Sequence, residues 1–130
     1  MSSGDTRQAI INRIERYLES WRTGDAETRH RLFAPHAWVE DPVGSGPCEG
    51  RGPIEARWEA MSSEGASFEA HLRRVVVCGR EALAAYTLKS QPTHGPETIM
   101  EMYAVFEFDA ALEIRRMRVF RDDSCVHVGA

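Results

Sequence analysis

The order of its predicted elements assigns this chain to the α+β class, with helices from the N-terminal half covering one face of a curved antiparallel sheet. Two observations carry the assignment. Apolar residues recur at helical spacing only in the first half of the chain, and the second half reads as successive strands rich in apolar and β-branched residues. Helices and strands are segregated, not alternating, which argues against a parallel α/β sheet.

The first helix is predicted from about Asp5 to Trp21. Ile10, Ile14, Tyr17 and Trp21 recur three and four residues apart, Ile11 and Leu18 widen the stripe, and Arg13, Glu15, Arg16 and Glu19 fall mainly on the solvated side. Gly24 suits a helix stop and Asp25 an N-cap, which predicts a second helix over about Ala26 to Phe33, burying Leu32 and Phe33 and ended by Pro35. An extended stretch, Ala37 to Asp41, precedes a loop containing Pro42, Gly44, Gly46, Pro47, Gly50, Gly52 and Pro53. Pro53 fits the first turn of a third helix running through Ile54, Trp58 and Met61.

Strands are predicted over Phe68 to Cys78, Ala82 to Ser90, Glu97 to Phe108 and Glu113 to Asp122. Their turns are predicted at Gly79-Arg80, Gln91 to Pro96 and Asp109-Ala110-Ala111. No repeat, low-complexity segment or linker interrupts the chain, so residues 1–130 are expected to form a single domain.

Composition narrows the function classes. The 130 residues are 42% hydrophobic and 28% charged, the balance of a soluble globular protein. A net charge of -4 gives the chain as a whole no basic footprint for nucleic acid. No run is long and apolar enough to span a bilayer. Met1, Ser2, Ser3, Gly4 and Asp5 lack the basic and apolar regions of an export signal, and Cys48, Cys78 and Cys125 are sparse and odd in number. A cytoplasmic protein with free thiols is the expectation.

Several chemistries lack their motifs. His30, His36, His71, His94 and His127 form no tight ligand pattern and read mainly as surface or loop residues, so no metal is expected. The glycines after Asp41 match neither phosphate-binding signature, and Gly44-Ser45-Gly46 is too short for a nucleophile elbow.

The segment Ala37-Trp38-Val39-Glu40-Asp41-Pro42-Val43-Gly44-Ser45-Gly46-Pro47 is more specific. Together with Gly50 and Ile54, the pair Arg16-Tyr17 followed by Gly24-Asp25, Met117-Arg118, and the tail His127-Val128-Gly129-Ala130, it resembles the ketosteroid isomerase (steroid delta-isomerase) family. That family lies within the nuclear-transport-factor-2-like and SnoaL-like superfamily, and the likeness spans nearly the whole chain. It implies a cone-shaped, curved antiparallel sheet wrapped around three helices and enclosing a deep apolar pocket. The implied chemistry is migration of a double bond into conjugation with a ketone, through a dienolate, with no cofactor. The implied partners are an apolar small molecule and a second copy of the chain, joined through the exposed sheet face, where Tyr103, Val105 and Val119 are candidates.

Residue roles follow from the same resemblance. Asp41 matches the general base, and a carboxylate at the rim of an apolar pocket is raised in pKa by partial desolvation. The residues alone favour a turn aspartate bonded to the loop backbone. Tyr17 matches the oxyanion-binding tyrosine; the alternative is a core tyrosine with a satisfied hydroxyl. Trp58 stands where the family has an aromatic residue supporting the tyrosine; an indole can only donate, and the alternative is a plain core residue. Phe33, Trp38, Phe68, Met100, Met102, Phe106 and Met117 are candidates for the pocket wall as well as ordinary core residues.

Two departures stand out. Ala104 occupies the position of a second oxyanion donor, a protonated aspartate in the family; ketosteroid isomerase is the standard example of that device. Adjacent Tyr103 is expected on the opposite face of its strand. Arg121 replaces a large apolar residue near the pocket. It is read as a side chain reaching solvent, as a cation for an acidic substrate group or for the missing donor, or as neutralised by Asp122 and Asp123.

Three functions compete. The first is an isomerase of a steroid or similar enone. The second is a polyketide cyclase or epoxide hydrolase on the same scaffold, working with a carboxylate pair in which Asp41 is one member and Glu69 the candidate for the other, although Phe68 is the residue predicted to face inward and only a one-residue register change would swap them. The third is a non-catalytic binding module. A role for Cys48, in the loop after Asp41, stays open.

Overall fold

The computed structural model describes residues 3–62 and 67–129. Met1, Ser2 and Ala130, used in the sequence reading, lie outside them, as does the side chain of Met61. The helices are α1 (Ser3–Thr23), α2 (Ala26–Arg31) and α3 (Arg51–Ser62). The strands are β1 (Phe33–Glu40), β2 (Cys48–Glu49), β3 (Ser67–Cys78), β4 (Glu81–Gln91), β5 (Thr98–Phe108), β6 (Ile114–Phe120) and β7 (Val126–Val128).

α1 follows its apolar stripe. Ile10, Ile14, Tyr17 and Leu18 are buried, and Glu15, Arg16 and Glu19 are exposed. Gly24 takes φ +72°, a left-handed conformation that favours glycine, and ends the helical run. Asp25 then caps α2, its carboxylate accepting from the Thr28 amide at 3.1 Å.

The second helix is shorter than its sequence predicts. It ends at Arg31, and Phe33 opens β1. Pro35 therefore lies inside a strand instead of ending a helix. The β1–β6 register is irregular between Phe33 and Trp38, the stretch that holds Pro35, which has no amide to give a ladder. Two short strands, β2 and β7, also went unpredicted, since two or three residues carry too little periodicity to read.

The sheet runs β2-β1-β6-β5-β4-β3, with β7 added beside β5. It is unclosed and mixed: β1 and β6 run parallel, and every other pairing is antiparallel. This corrects the wholly antiparallel expectation while leaving the cone-shaped α+β fold in place. Register shifts in β3 between Leu72 and Arg74, and at Glu107/Phe108, bend the strands. α1 lies against β3.

Strand alternation separates two faces. Ala82, Ala84, Tyr86 and Leu88 of β4 face inward with Met102, Ala104, Phe106 and Phe108 of β5. Outward lie Val76, Leu83, Tyr103 and Phe120, each 40–49% exposed. Val119 does not belong to this outer strip: it is 1% exposed and faces the core with Met117. Val105 is half-buried on the outer side. No helix among the described residues is long and apolar enough to cross a membrane.

Candidate active site

Ala37 and Val39 are buried on the inner face of β1, so the period of two carries Asp41, just past the strand end, to the same side. Glu40 turns outward, where its Oε2 accepts from the Gly44 and Gly46 amides at 3.2 Å each and organises the loop. The Val43 amide donates to the Val119 carbonyl at 2.8 Å, and Arg57 of α3 donates to the Asp41 carbonyl. The backbone around the carboxylate is thus tied to β6 and α3.

On the neighbouring strand Met117 and Val119 face inward, and the same alternation points Arg121 past the end of β6. Its Nε donates to Asp41 Oδ1 at 2.8 Å. The two side chains retain 33% and 25% exposure, so the pair sits at a rim, not in the deep core. Because β1 and β6 are parallel, with Val39 beside Met117, both strands end at this rim. None of the three sequence readings of Arg121 named Asp41 as its partner. Asp122 instead binds locally, accepting from the Ser124 amide.

Asp41 and Arg121 border a cavity of about 100 Å³. Its walls are Tyr17 and Trp21 of α1, Trp58 of α3, Phe68 of β3, Tyr86 and Leu88 of β4, and Met100 and Met102 of β5. Tyr17 is 5% exposed, and its ring packs at 5.8 Å from both Phe33 and Phe106 and at 6.1 Å from Trp58. Burial pushes its phenol well above the ordinary 10.0; the Trp21 indole, bonded to the phenol, partly offsets this, and the Asp41 charge adds to it. An indole N–H only donates, so Tyr17 accepts from Trp21 and keeps its own proton to give. Tyr86, 4% exposed, is raised in the same direction by burial, with further contributions from Tyr17 and Asp41. Both phenols are therefore neutral donors at physiological pH.

Of the pocket candidates, Asp41, Tyr17, Trp58, Phe68, Met100, Met102 and Arg121 meet at this cavity. Phe33, Phe106 and Met117 are buried behind it as core. Ala104 is wholly buried and faces inward beside Ala84, but it does not line the cavity. Trp38 is a correction: Ala37 and Val39 take the inner face, so the indole lies on the outer one, with the Arg116 guanidinium 4.4 Å from its ring centre.

Glu69 also points away, pairing with His71 at 3.0 Å, while Phe68 faces in as expected. Asp41 is then the only carboxylate among the described residues lining this cavity. Cys48 stands outside it, its sulfur 3.7 Å from Arg57 Nη1. His30 is no loop residue; it belongs to α2 and stacks on Trp58 at 5.9 Å. His36, His71 and His127 lie in strands but are exposed, in keeping with the surface reading. No group of metal-ligating side chains occurs among the described residues.

Sequence reasoning left Trp21, Tyr86 and Leu88 out of the pocket. The alternation Ala82, Ala84, Tyr86, Leu88 held the signal for the last two, and Trp21 already stood in the apolar stripe of α1. A second cavity of about 380 Å³ shares Trp21, Trp58 and Phe68 with the first, so those three rings form a partition between them.

Residues 14–117 match the SnoaL-like domain family. The chain belongs to that family. A steroid Delta-isomerase of Nocardioides simplex is 32% identical over 108 residues, covering 82% of this chain and 85% of the relative. This places the chain with the ketosteroid-isomerase-like members. The epoxide hydrolase/cyclase-like enzyme SalBIII, which acts in pyran ring formation in the polyether salinomycin, superposes with a TM-score of 0.80 at 21% identity, covering 95% of this chain and 98% of its own. An LEH-like epoxide hydrolase of M. tuberculosis superposes with a TM-score of 0.77 at 20% identity, over 89% of this chain and 84% of that one. Both structural likenesses bear on the SnoaL-like fold, and enzymes populate this part of the superfamily.

Proposed function

We propose that this protein is a steroid delta-isomerase-like enzyme, moving a double bond into conjugation with a ketone by carrying one proton between two carbons. The observation that carries the reading is a single carboxylate, Asp41, facing a neutral phenol, Tyr17, across a cavity with aromatic, leucine and methionine walls. Asp41 Oδ2, the oxygen not bonded to Arg121 Nε, takes the proton alpha to the ketone. The C–H electron pair moves into the carbon skeleton and the carbonyl π pair onto oxygen, where the Tyr17 hydroxyl donates to the developing charge. Asp41 then returns the proton to the far carbon, the ketone re-forms, and no cofactor is consumed.

The cavity limits the substrate. About 100 Å³ is below the roughly 300–1,000 Å³ of sites that bury drug-sized ligands. A fused-ring ketone needs the Trp21, Trp58 and Phe68 partition to swing aside and admit it to the larger space beyond; a compact enone ring needs less movement.

Arg121 supports a second reading. A guanidinium beside the carboxylate suits an epoxide-opening cyclisation, in which Asp41 removes a hydroxyl proton, the ether C–O bond forms as one epoxide C–O bond breaks, the released electron pair goes to the epoxide oxygen beside Arg121, and the proton held by Asp41 passes through water to that alkoxide. A carboxylate pair does not stand behind that reading, because Glu69 faces away from the cavity.

The deciding experiment follows conversion of a β,γ-unsaturated 3-ketosteroid and of a monocyclic β,γ-enone by ultraviolet absorbance, in the native protein and in Asp41→Asn. Conversion reduced roughly 10²–10⁴-fold by the substitution is the expected result. Ketone binding without conversion overturns the isomerase and leaves the cyclase or a non-catalytic binder. The partner we propose is a second copy of the chain, seated on the apolar outer strip of the sheet.

A further inference from the structure

Tyr86 has no part in the reaction as drawn, yet it lies on the same cavity wall as Tyr17 and Asp41. Its place in the sheet is informative. Ala84 pairs with Ala104 and Tyr86 with Met102, all facing inward, so Tyr86 is the diagonal neighbour of Ala104. Diagonal neighbours on one face lie roughly 7–8 Å apart, within reach of an aromatic side chain. Where the family resemblance implies an acid donor, this chain has two small side chains in register and a phenol one inward position along.

The hydroxyl is placed for use. Its residue is 4% exposed, and it shares the cavity lining with Tyr17, Asp41 and Arg121. No hydrogen bond engages the hydroxyl among the described residues. The hydroxyl is not among the buried polar atoms left without a partner, so it opens onto the cavity, where a ligand oxygen can accept from it.

We propose that Tyr86 is a second hydrogen-bond donor to the enolate oxygen, taking over the task of the donor absent at Ala104. The inference rests on the proton-transfer reading and adds to it: the ketone oxygen sits between the Tyr17 and Tyr86 hydroxyls while Asp41 works on the carbon skeleton. The two phenols donate without giving up their protons, so the only proton that moves between heavy atoms is the one Asp41 carries. Substrates that place a carbonyl oxygen beside both phenols are selected over apolar molecules lacking one.

The test uses 4-nitrophenol, whose anion resembles an enolate oxygen and absorbs in the visible, bound to the full chain carrying Asp41→Asn so that the base does not repel it. Its apparent pKa when bound is read by spectrophotometric titration, with Tyr86→Phe and Tyr17→Phe added separately. Each tyrosine substitution is expected to raise that pKa by about one to two units, the worth of a hydrogen bond to a charged group. In the protein with Asp41 intact, Tyr86→Phe is expected to lower kcat for the enone about 10²–10³-fold while KM changes only a few-fold.

A bound nitrophenol whose ionisation responds to Tyr17→Phe and not to Tyr86→Phe overturns the proposal. The titration needs no turnover. If the native protein converts no enone but both tyrosines move the ligand's pKa, the isomerase reading fails and the two-phenol oxygen site stands. Tyr86→Phe retains the ring, and circular dichroism checks that each variant is folded.

Discussion

Tyr17→Phe separates chemistry from packing. The ring of Tyr17 touches Phe33, Phe106, Trp58 and Trp21, with centroids 5.8 to 6.4 Å away, and phenylalanine preserves all of these contacts. What is lost is one hydroxyl and the acceptor it offers to Trp21. Trp21 is half-buried, and losing one hydrogen bond there costs about 1 kcal/mol. Loss of an oxyanion donor costs much more in the transition state, about 10²–10³-fold in kcat or roughly 2.7–4 kcal/mol. The assay pairs enone conversion followed by ultraviolet absorbance with thermal unfolding followed by circular dichroism. The expected outcome is a nearly unchanged melting curve beside a hundred-fold or greater loss of kcat. A folded variant that keeps within about ten-fold of the native rate would refute the role of Tyr17.

Two further outcomes follow from the structure. Tyr17 and Tyr86 are both raised above the ordinary 10.0, chiefly by burial. Below pH 10 the phenols are neutral in the folded and unfolded chains alike and add no pH dependence. Above it the unfolded chain releases protons that the native state retains, so native stability falls as pH rises, by up to about 1.4 kcal/mol per pH unit for each phenol. Denaturant melts between pH 9 and 11 are expected to show that decline, and Tyr17→Phe and Tyr86→Phe each to flatten it; equal slopes in all three proteins would contradict the assigned burial. Leu83, 49% exposed at the centre of the outer strip, tests self-association. Leu83→Glu is expected to convert a dimer to a monomer in analytical ultracentrifugation, with a change in monomer stability within about 0.5 kcal/mol. A native protein that sediments as a monomer at micromolar concentration rules out the strip as a dimer face.

The candidate site was legible in the sequence where it depends on local pattern. The helical stripe of α1 gives Tyr17 a buried position, and strand alternation puts Met100 and Met102 on one face, but Tyr17 was placed in the site by the family resemblance. Asp41 was placed by the family resemblance of its segment. Trp38 was misplaced although the same alternation, counted from Asp41, sends positions 37, 39 and 41 inward and 38 outward. The early end of α2 was hidden because Phe33 is apolar in either conformation, and only its pairing with Ile114 decides for the strand.

Helical and strand periodicity and the capped turn at Gly24-Asp25 determined the α+β class, because each is a property of neighbours along the chain, while the likeness of the segments around Asp41 and Tyr17 to the family marked those two as site residues. The meeting of Asp41 with Arg121, eighty positions apart, was decided by tertiary structure alone. So was the diagonal placement of Tyr86 beside Ala104. Both depend on which strands lie side by side, in which direction and in which register. Residues far apart in the chain share a rim only when the sheet is assembled, and it is the parallel pairing of β1 with β6 that brings the base and its guanidinium together.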